Sequence, residues 1–143
     1  MGAMVAKSKV AEAFTRGTHA STFGGNPVAC AAAVAALDVM QAEGFLSRSV
    51  RMGELLVSSL MGSDVSELFK EIRIKGLMIG LELSKPIAAP AVALAREKGL
   101  LANAIGESII RLLPPLVVSE DEIRQAVDIL QESLKEACDG CLG

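Results

Sequence analysis

The chain has no tryptophan, no tyrosine and only four phenylalanines among its 143 residues. That shortage of rings leaves no platform on which nucleic-acid bases would stack. Basic residues number 14 against 17 acidic ones, and no basic block interrupts the net charge of −3. A nucleic-acid partner is therefore not expected. There is one histidine, His19, which excludes an internal two-histidine metal site, and no metal is expected. The three cysteines are Cys30, Cys138 and Cys141. An odd count without a disulfide framework reads as a protein of the reducing cytoplasm.

A long hydrophobic run is also missing. The longest stretch free of Asp, Glu, Lys and Arg is Gly17 to Leu37, and Gly24-Gly25-Asn26-Pro27 interrupts it. Its apolar part is mostly alanine, whereas a membrane-spanning helix needs about 20 predominantly apolar residues. The opening residues, Met1 to Lys7, lack the charged segment and long apolar core of an export signal. No membrane partner is expected.

What the chain does have is aliphatic bulk: 51% hydrophobic residues and a mean hydropathy of +0.44. So much apolar content with so few charges excludes a disordered chain. The length suits one domain with a real core. The excess of apolar residues, and an opening in the middle of an apolar phrase, point to a piece of something larger whose exposed surface a partner covers. The alternative is a self-sufficient alanine-rich domain.

Periodicity predicts a short helix over 8–15, capped by Ser8, with Val10, Ala13 and Phe14 on its apolar side. Arg16 to Pro27 reads as a loop. Asn26 and Pro27 then start a helix that Gly44 ends. Its ACAAAVAAL stretch is apolar on all sides and should be buried. A second helix, 45–61, carries Leu46, Val50, Val57 and Leu60 as its apolar face, with Arg48, Arg51 and Glu54 solvated. Residues 71–83 read as a strand or hairpin bent near Gly76. A helix over 89–98, strands over 100–104 and 108–113, and a helix opened by the capping box Ser119–Glu122 complete the reading. The fold class is α/β, here an α+β fragment of helices on a small sheet.

Residues 18–27, THASTFGGNP, form the densest polar segment. Two adjacent hydroxyls, a glycine pair and a helix N-terminus suit a phosphate. The alternative is an elaborate N-cap. His19 has no well-spaced nucleophile for a triad and reads as a hydrogen-bonding loop residue. Arg111 is a lone charge in an apolar strand. It is either a carboxylate-recognising or paired cation, or it stands on a wet alternate face. Cys30 and the scattered methionines read as core filler. Cys138 and Cys141 have C-x-x-C spacing, but the motif trails a helix, which fits neither zinc nor a thioredoxin-like site.

The phrases GAMVAK (2–7), AFTRGTHASTFGGNPVACAAAVAALDVM (13–40), IRIKGLMIGLEL (72–83) and GLLANAIGESIIRLLPPLVVSEDEIRQAVDIL (99–130) resemble, in this order, the C-terminal part of class III pyridoxal-phosphate aminotransferases. The loop phrase is that of their ornithine and acetylornithine branch. The resemblance covers nearly the whole chain and fades after about Lys135.

This resemblance implies a homodimeric fold type I transferase that uses pyridoxal 5'-phosphate. Residues 1–27 would end its large domain, 28–44 form the connecting helix, and 45–143 the C-terminal small domain. The implied reaction moves an amino group from N-acetylornithine to 2-oxoglutarate, in arginine biosynthesis. Ornithine, succinylornithine or 4-aminobutyrate are alternative donors. Thr22 matches the residue that binds the cofactor phosphate, and Ser21 a position beside the substrate. Both would reach into the neighbouring subunit's site. Arg111 matches an arginine associated with the substrate carboxylate or with a glutamate gate. The lysine that bonds the cofactor precedes the GAM phrase in the family, and neither Lys7 nor Lys9 matches it. The chain by itself is therefore expected to carry no catalytic residue and no activity. A different reading is a naturally short, non-catalytic interaction domain.

Overall fold

The computed structural model describes residues 2–42 and 44–140. The chain divides into two compact units, residues 1–43 and 44–143.

In the first unit, helix α1 is a single turn, Ser8–Ala11, shorter than its sequence predicts. Lys7 takes the cap position and no side chain caps it. Val10 and Phe14 stay exposed, so nothing rewards extending the turn. Helix α2 spans Pro27–Ala42 and, contrary to the expectation for its alanine-rich stretch, buries none of its residues. Val34 and Leu37 are each 57% exposed, and Cys30 is half-buried rather than in a core. A helix that is apolar all round needs cover on more than one side, and this short unit offers no second layer.

The second unit holds the core. Gly44, at φ +63°, adopts the left-handed conformation that glycine takes without steric cost, and helix α3 follows over Phe45–Met61. Its buried face is Phe45, Met52, Gly53, Leu56 and Leu60. Leu46 and Val50, expected inside, are 71% and 48% exposed. Leu60, also expected inside, is fully buried, and Val57 packs against the core; the departure lies in the first half of the helix, where Gly53 lets a neighbouring backbone come close and the row through it becomes the inner one. Arg48 is not fully solvated either: its Nη2 donates to the carbonyl of Val118 at 2.6 Å.

Strands β1 (Phe69–Lys75) and β2 (Met78–Leu83) form the expected hairpin. Of the two turn residues only Gly76 has positive φ, +57°, as in a turn with glycine at its first central position. Helix α4 (Ala88–Glu97) buries Ala88, Ala91 and Ala95. It ends in a Schellman motif: Leu100 N–H donates to the Ala95 carbonyl (2.8 Å) and Gly99 N–H to that of Arg96 (3.1 Å). That capture of Leu100 explains why the next strand, β3, is Asn103–Ile105 and not 100–104. After a turn at Gly106, β4 runs Ile109–Leu112. The sheet order is β1-β2-β4-β3, with every pairing antiparallel.

Helix α5 spans Glu120–Gly140 and opens with the expected capping box. Ser119 N–H donates to Glu122 Oε2 (2.7 Å) and Glu122 N–H donates to Ser119 Oγ (3.2 Å). Ser119 Oγ–H also donates to Glu122 Oε2 (2.9 Å), and the bonds from the Ser119 N–H and hydroxyl hold the Glu122 carboxyl below its usual range. The inner sheet face (Ile79, Leu81, Leu83, Ile110, Leu112) packs on Leu56, Leu60, Ile123, Val127, Leu130 and Leu134. The result is an antiparallel sheet with its helices on one face, an α+β unit. Among the described residues, no single helix is long and apolar enough to cross a membrane.

Two glycines should respond oppositely to alanine. A Cβ on Gly53 would lie 2.1 Å from the carbonyl oxygen of Gly76, whereas one on Gly80 meets nothing nearer than Arg73 Nε at 4.0 Å. In chemical denaturation, G53A is expected to lose about 2 kcal/mol or more through overpacking. G80A should hold or gain about 0.5 kcal/mol, because the unfolded chain loses freedom.

Candidate functional site

The 16–27 loop is built by short-range bonds. Thr18 donates through both N–H (3.1 Å) and Oγ1 (2.7 Å) to the carbonyl of Thr15. Gly24 N–H donates to the Ser21 carbonyl at 3.2 Å, and Asn26 N–H to that of Phe23 at 3.3 Å. Gly25 supplies the positive φ, +73°, that turns the chain into α2.

At the start of α2 the N-cap predicted from Asn26 and Pro27 is formed. Pro27 has no N–H. The N–H groups of Val28 and Ala29 both donate to Asn26 Oδ1, at 3.0 and 3.2 Å. Cys30 N–H donates to the Asn26 carbonyl at 2.9 Å. The first turn is thus fully committed to its own cap and offers no free backbone donor. The backbone N–H groups of this helix start therefore serve the N-cap.

Two donors remain. The hydroxyls of Ser21 and Thr22 make no hydrogen bond within the described residues, and both residues are exposed. Ser21 lines an open hollow of about 1190 Å³ with Met4, His19, Phe23, Gly24 and Gly25. Thr22 lies between Ser21 and Phe23 in sequence and does not line it. A pair of unengaged hydroxyls on a loop held by its own cap is a donor set that suits the oxygens of a phosphate ester. His19 packs edge-on against Phe14, with centroids 6.1 Å apart and planes at 82°. It stands in the loop without a nucleophile bonded to it, in keeping with a loop role.

Arg111 lies in the other unit, on the outer face of the sheet. The sequence leaves open a carboxylate-recognising or paired cation, or a wet alternate face. The residue is exposed and not buried. Its Nη2 donates to Asn103 Oδ1 at 3.2 Å. Register places Arg73, Gly80, Arg111 and Asn103 in one row across β1, β2, β4 and β3. A trough of about 350 Å³ runs along this face, lined in part by Met78, Ile105, Ile109 and both arginines. Asn103 and Gly80 escape a motif reading. Only the turn at Gly106, which sets the β3–β4 register, could have pointed to Asn103.

Beside that row sits a compensated charge cluster. Lys70 Nζ donates to Glu82 Oε1 at 2.7 Å and Arg73 Nη1 to Glu82 Oε2 at 2.8 Å, and Arg73 also bonds Glu71. The bonds from Lys70, then Arg73, hold the Glu82 carboxyl below its ordinary value of 4.5, and Lys70 is correspondingly raised. On α5, Cys138 is half-buried and accepts from Lys85 Nζ at 2.9 Å. Its C-x-x-C companion, Cys141, lies outside the described residues.

Comparison with known proteins now adds a frame. The family model described as aminotransferase class-III matches residues 1–134. An acetylornithine aminotransferase of Methanosarcina mazei is 44% identical over 133 residues, covering 93% of this chain and 33% of that protein. An ornithine aminotransferase of Brevibacillus brevis is 41% identical over 134 residues, covering 94% of this chain and 33% of that protein. Among solved structures, the ornithine aminotransferase of Toxoplasma gondii, whose active site holds PLP at partial occupancy, superposes with a TM-score of 0.82 at 32% identity, over 93% of this chain and 32% of its own. The chain spans about a third of the length of the curated relatives it matches.

The charge cluster makes a pH prediction. Because the folded Glu82 carboxyl titrates below its unfolded value, its contribution to stability is complete above that unfolded value. The contribution is lost as pH falls through the folded one. Replacing Glu82 by Gln should therefore flatten the acid limb of the stability curve below about pH 4.5, and leave the shape above pH 6 unchanged. Urea midpoints of E82Q and the parent chain across that range measure it. Added salt at about 1 M should shrink the difference, since the pairs are exposed.

Proposed function

The chain belongs to the class-III aminotransferases, and from that premise we propose that it is the C-terminal third of an aminotransferase of the ornithine and acetylornithine branch, moving the amino group of N-acetylornithine to 2-oxoglutarate. Pyridoxal 5'-phosphate, when bound, supplies the electron sink that makes such a transfer possible. The reading places the enzyme in the cytoplasm as a homodimer, in the route to arginine.

This chain's contribution is to hold and orient. Thr22 donates its hydroxyl to the cofactor phosphate, and Ser21 stands beside the substrate, both acting in the neighbouring subunit's site. Arg111 receives a substrate carboxylate, for which a planar guanidinium is the fitting donor. The observation that carries this reading is the Ser21–Thr22 pair: two hydroxyls without internal partners on a loop that Asn26 anchors. Helix α2 adds no donors, so any phosphate contact by this loop falls to side-chain hydroxyls and loop amides.

No lysine of this chain matches the one that bears the cofactor in the family. The 143 residues alone are then inactive. One observation favours a second reading, a self-associating domain without catalysis: α2 is apolar yet has no buried residue. Saturable association at a fixed stoichiometry in sedimentation would support it, and open-ended aggregation would oppose it.

Two outcomes are expected. The purified chain with pyridoxal phosphate, N-acetylornithine and 2-oxoglutarate should form no glutamate above background; clear turnover overturns the assignment of inactivity. In the longer aminotransferase that contains this chain, T22A should weaken cofactor binding about tenfold or more, the cost of one hydrogen bond to a charged group. T22S should keep most of it. Equilibrium dialysis against the cofactor measures this, and an unchanged affinity in T22A removes Thr22 from the phosphate site.

A further inference from the structure

The outer face of the sheet carries two arginines in opposite circumstances. Both flank Gly80 in register, Arg73 from β1 and Arg111 from β4. Arg73 is neutralised by Glu71 and Glu82. Arg111 has no carboxylate partner among the described residues, and its one side-chain bond is to the amide oxygen of Asn103, its cross-strand neighbour. We propose that Asn103 is a positioning residue for Arg111: it ties one nitrogen of the guanidinium without neutralising it and leaves the remaining N–H groups for a substrate carboxylate. This inference rests on the role given to Arg111 above.

Three features carry it. First, asparagine is disfavoured in strands, yet Asn103 opens β3, a strand of only three residues. Strand formation does not account for it. Second, an amide oxygen accepts one N–H without adding negative charge, whereas an aspartate there would close an ion pair. A guanidinium presents five N–H groups in a plane, so one bond to Asn103 leaves the others for a second acceptor. Restricting the side chain beforehand also lowers the freedom lost when a ligand arrives. Third, the opposite flank is open. Gly80 has no side chain, and the space a Cβ would fill is free out to Arg73 Nε at 4.0 Å. The trough beside it is lined by Met78, Ile105 and Ile109. Those apolar side chains suit the methylene chain of an amino acid whose carboxylate meets Arg111.

The test compares N103D, N103Q and R111A in the full-length holoenzyme that contains this chain. Steady-state kinetics are run with N-acetylornithine and 2-oxoglutarate, and melting temperatures are followed alongside. N103D should raise KM for the carboxylate substrate about tenfold with kcat within about twofold, as expected when a binding charge is taken up by an internal partner. N103Q, which keeps the amide, should return KM to within about threefold of the parent, and R111A should raise it at least as far as N103D. An R111A variant with unchanged KM overturns the reading of Arg111, and this inference with it. A raised KM in R111A beside an unchanged KM in N103D overturns the role of Asn103 alone. So does an N103D variant that loses kcat and melting temperature together, which marks a structural residue.

Discussion

Much of the second unit depends on one close approach, that of helix α3 to the β1–β2 turn. Gly53 has no side chain, and the carbonyl of Gly76 occupies the space a Cβ would need, 2.1 Å away. From the other side, a Cβ on Gly76 would stand 3.1 Å from Ser49 Oγ. Two glycines on separate elements thus bring helix and hairpin into backbone contact. That contact turns Met52, Leu56 and Leu60 inward and leaves Leu46 and Val50 outside. It also helps seat the hairpin that carries β2, to which β4 and then β3 are added. The row holding Gly80, Arg111 and Asn103 follows from that register.

The outer face shows how a small sheet separates two electrostatic environments a few residues apart. At one end, Lys70, Glu71, Arg73 and Glu82 satisfy one another, and such exposed networks contribute modestly and are screened by salt. At the other end a neutral amide holds Arg111. The difference lies in residue choice, not in burial, because both arginines are exposed. The first unit is built on a different rule. Its backbone donors at the start of α2 are consumed locally by Asn26, so the loop's recognition capacity rests in its side-chain hydroxyls and its own amides.

Most element boundaries were legible because their signals are local. Asn26-Pro27, Gly44, Gly62, Gly99 and the Ser119–Glu122 box act within a turn of where they stand, and each marks an element end within a residue or two of the observed one. The inward face of α3 was legible only in its second half, where Leu60 is buried and Val57 packs on the core. In the first half it is decided by Gly53 meeting Gly76, residues far apart in sequence. The shift of β3 came from Leu100 being held in the α4 cap, a competition that periodicity does not record. For α2, composition spoke of burial while the unit has no layer to bury it. As for the site, Ser21, Thr22 and Arg111 stood out by type and spacing. Asn103 did not, because its meaning lies in pairing across a turn.

The strand order has a kinetic consequence. β1–β2 and β3–β4 are joined by short turns, so each pair can zip soon after collapse. β2 and β4 meet only once the intervening chain, with α4 in it, has folded back, and that closure costs entropy before any contact repays it. The topology therefore locates the slow event of folding at the β2–β4 seam, between Ile79 and Leu112 at one end and Glu82 and Ile109 at the other. Until that seam closes, the row that brackets Arg111 does not exist, and the two hairpins drift as separate halves of an unfinished surface.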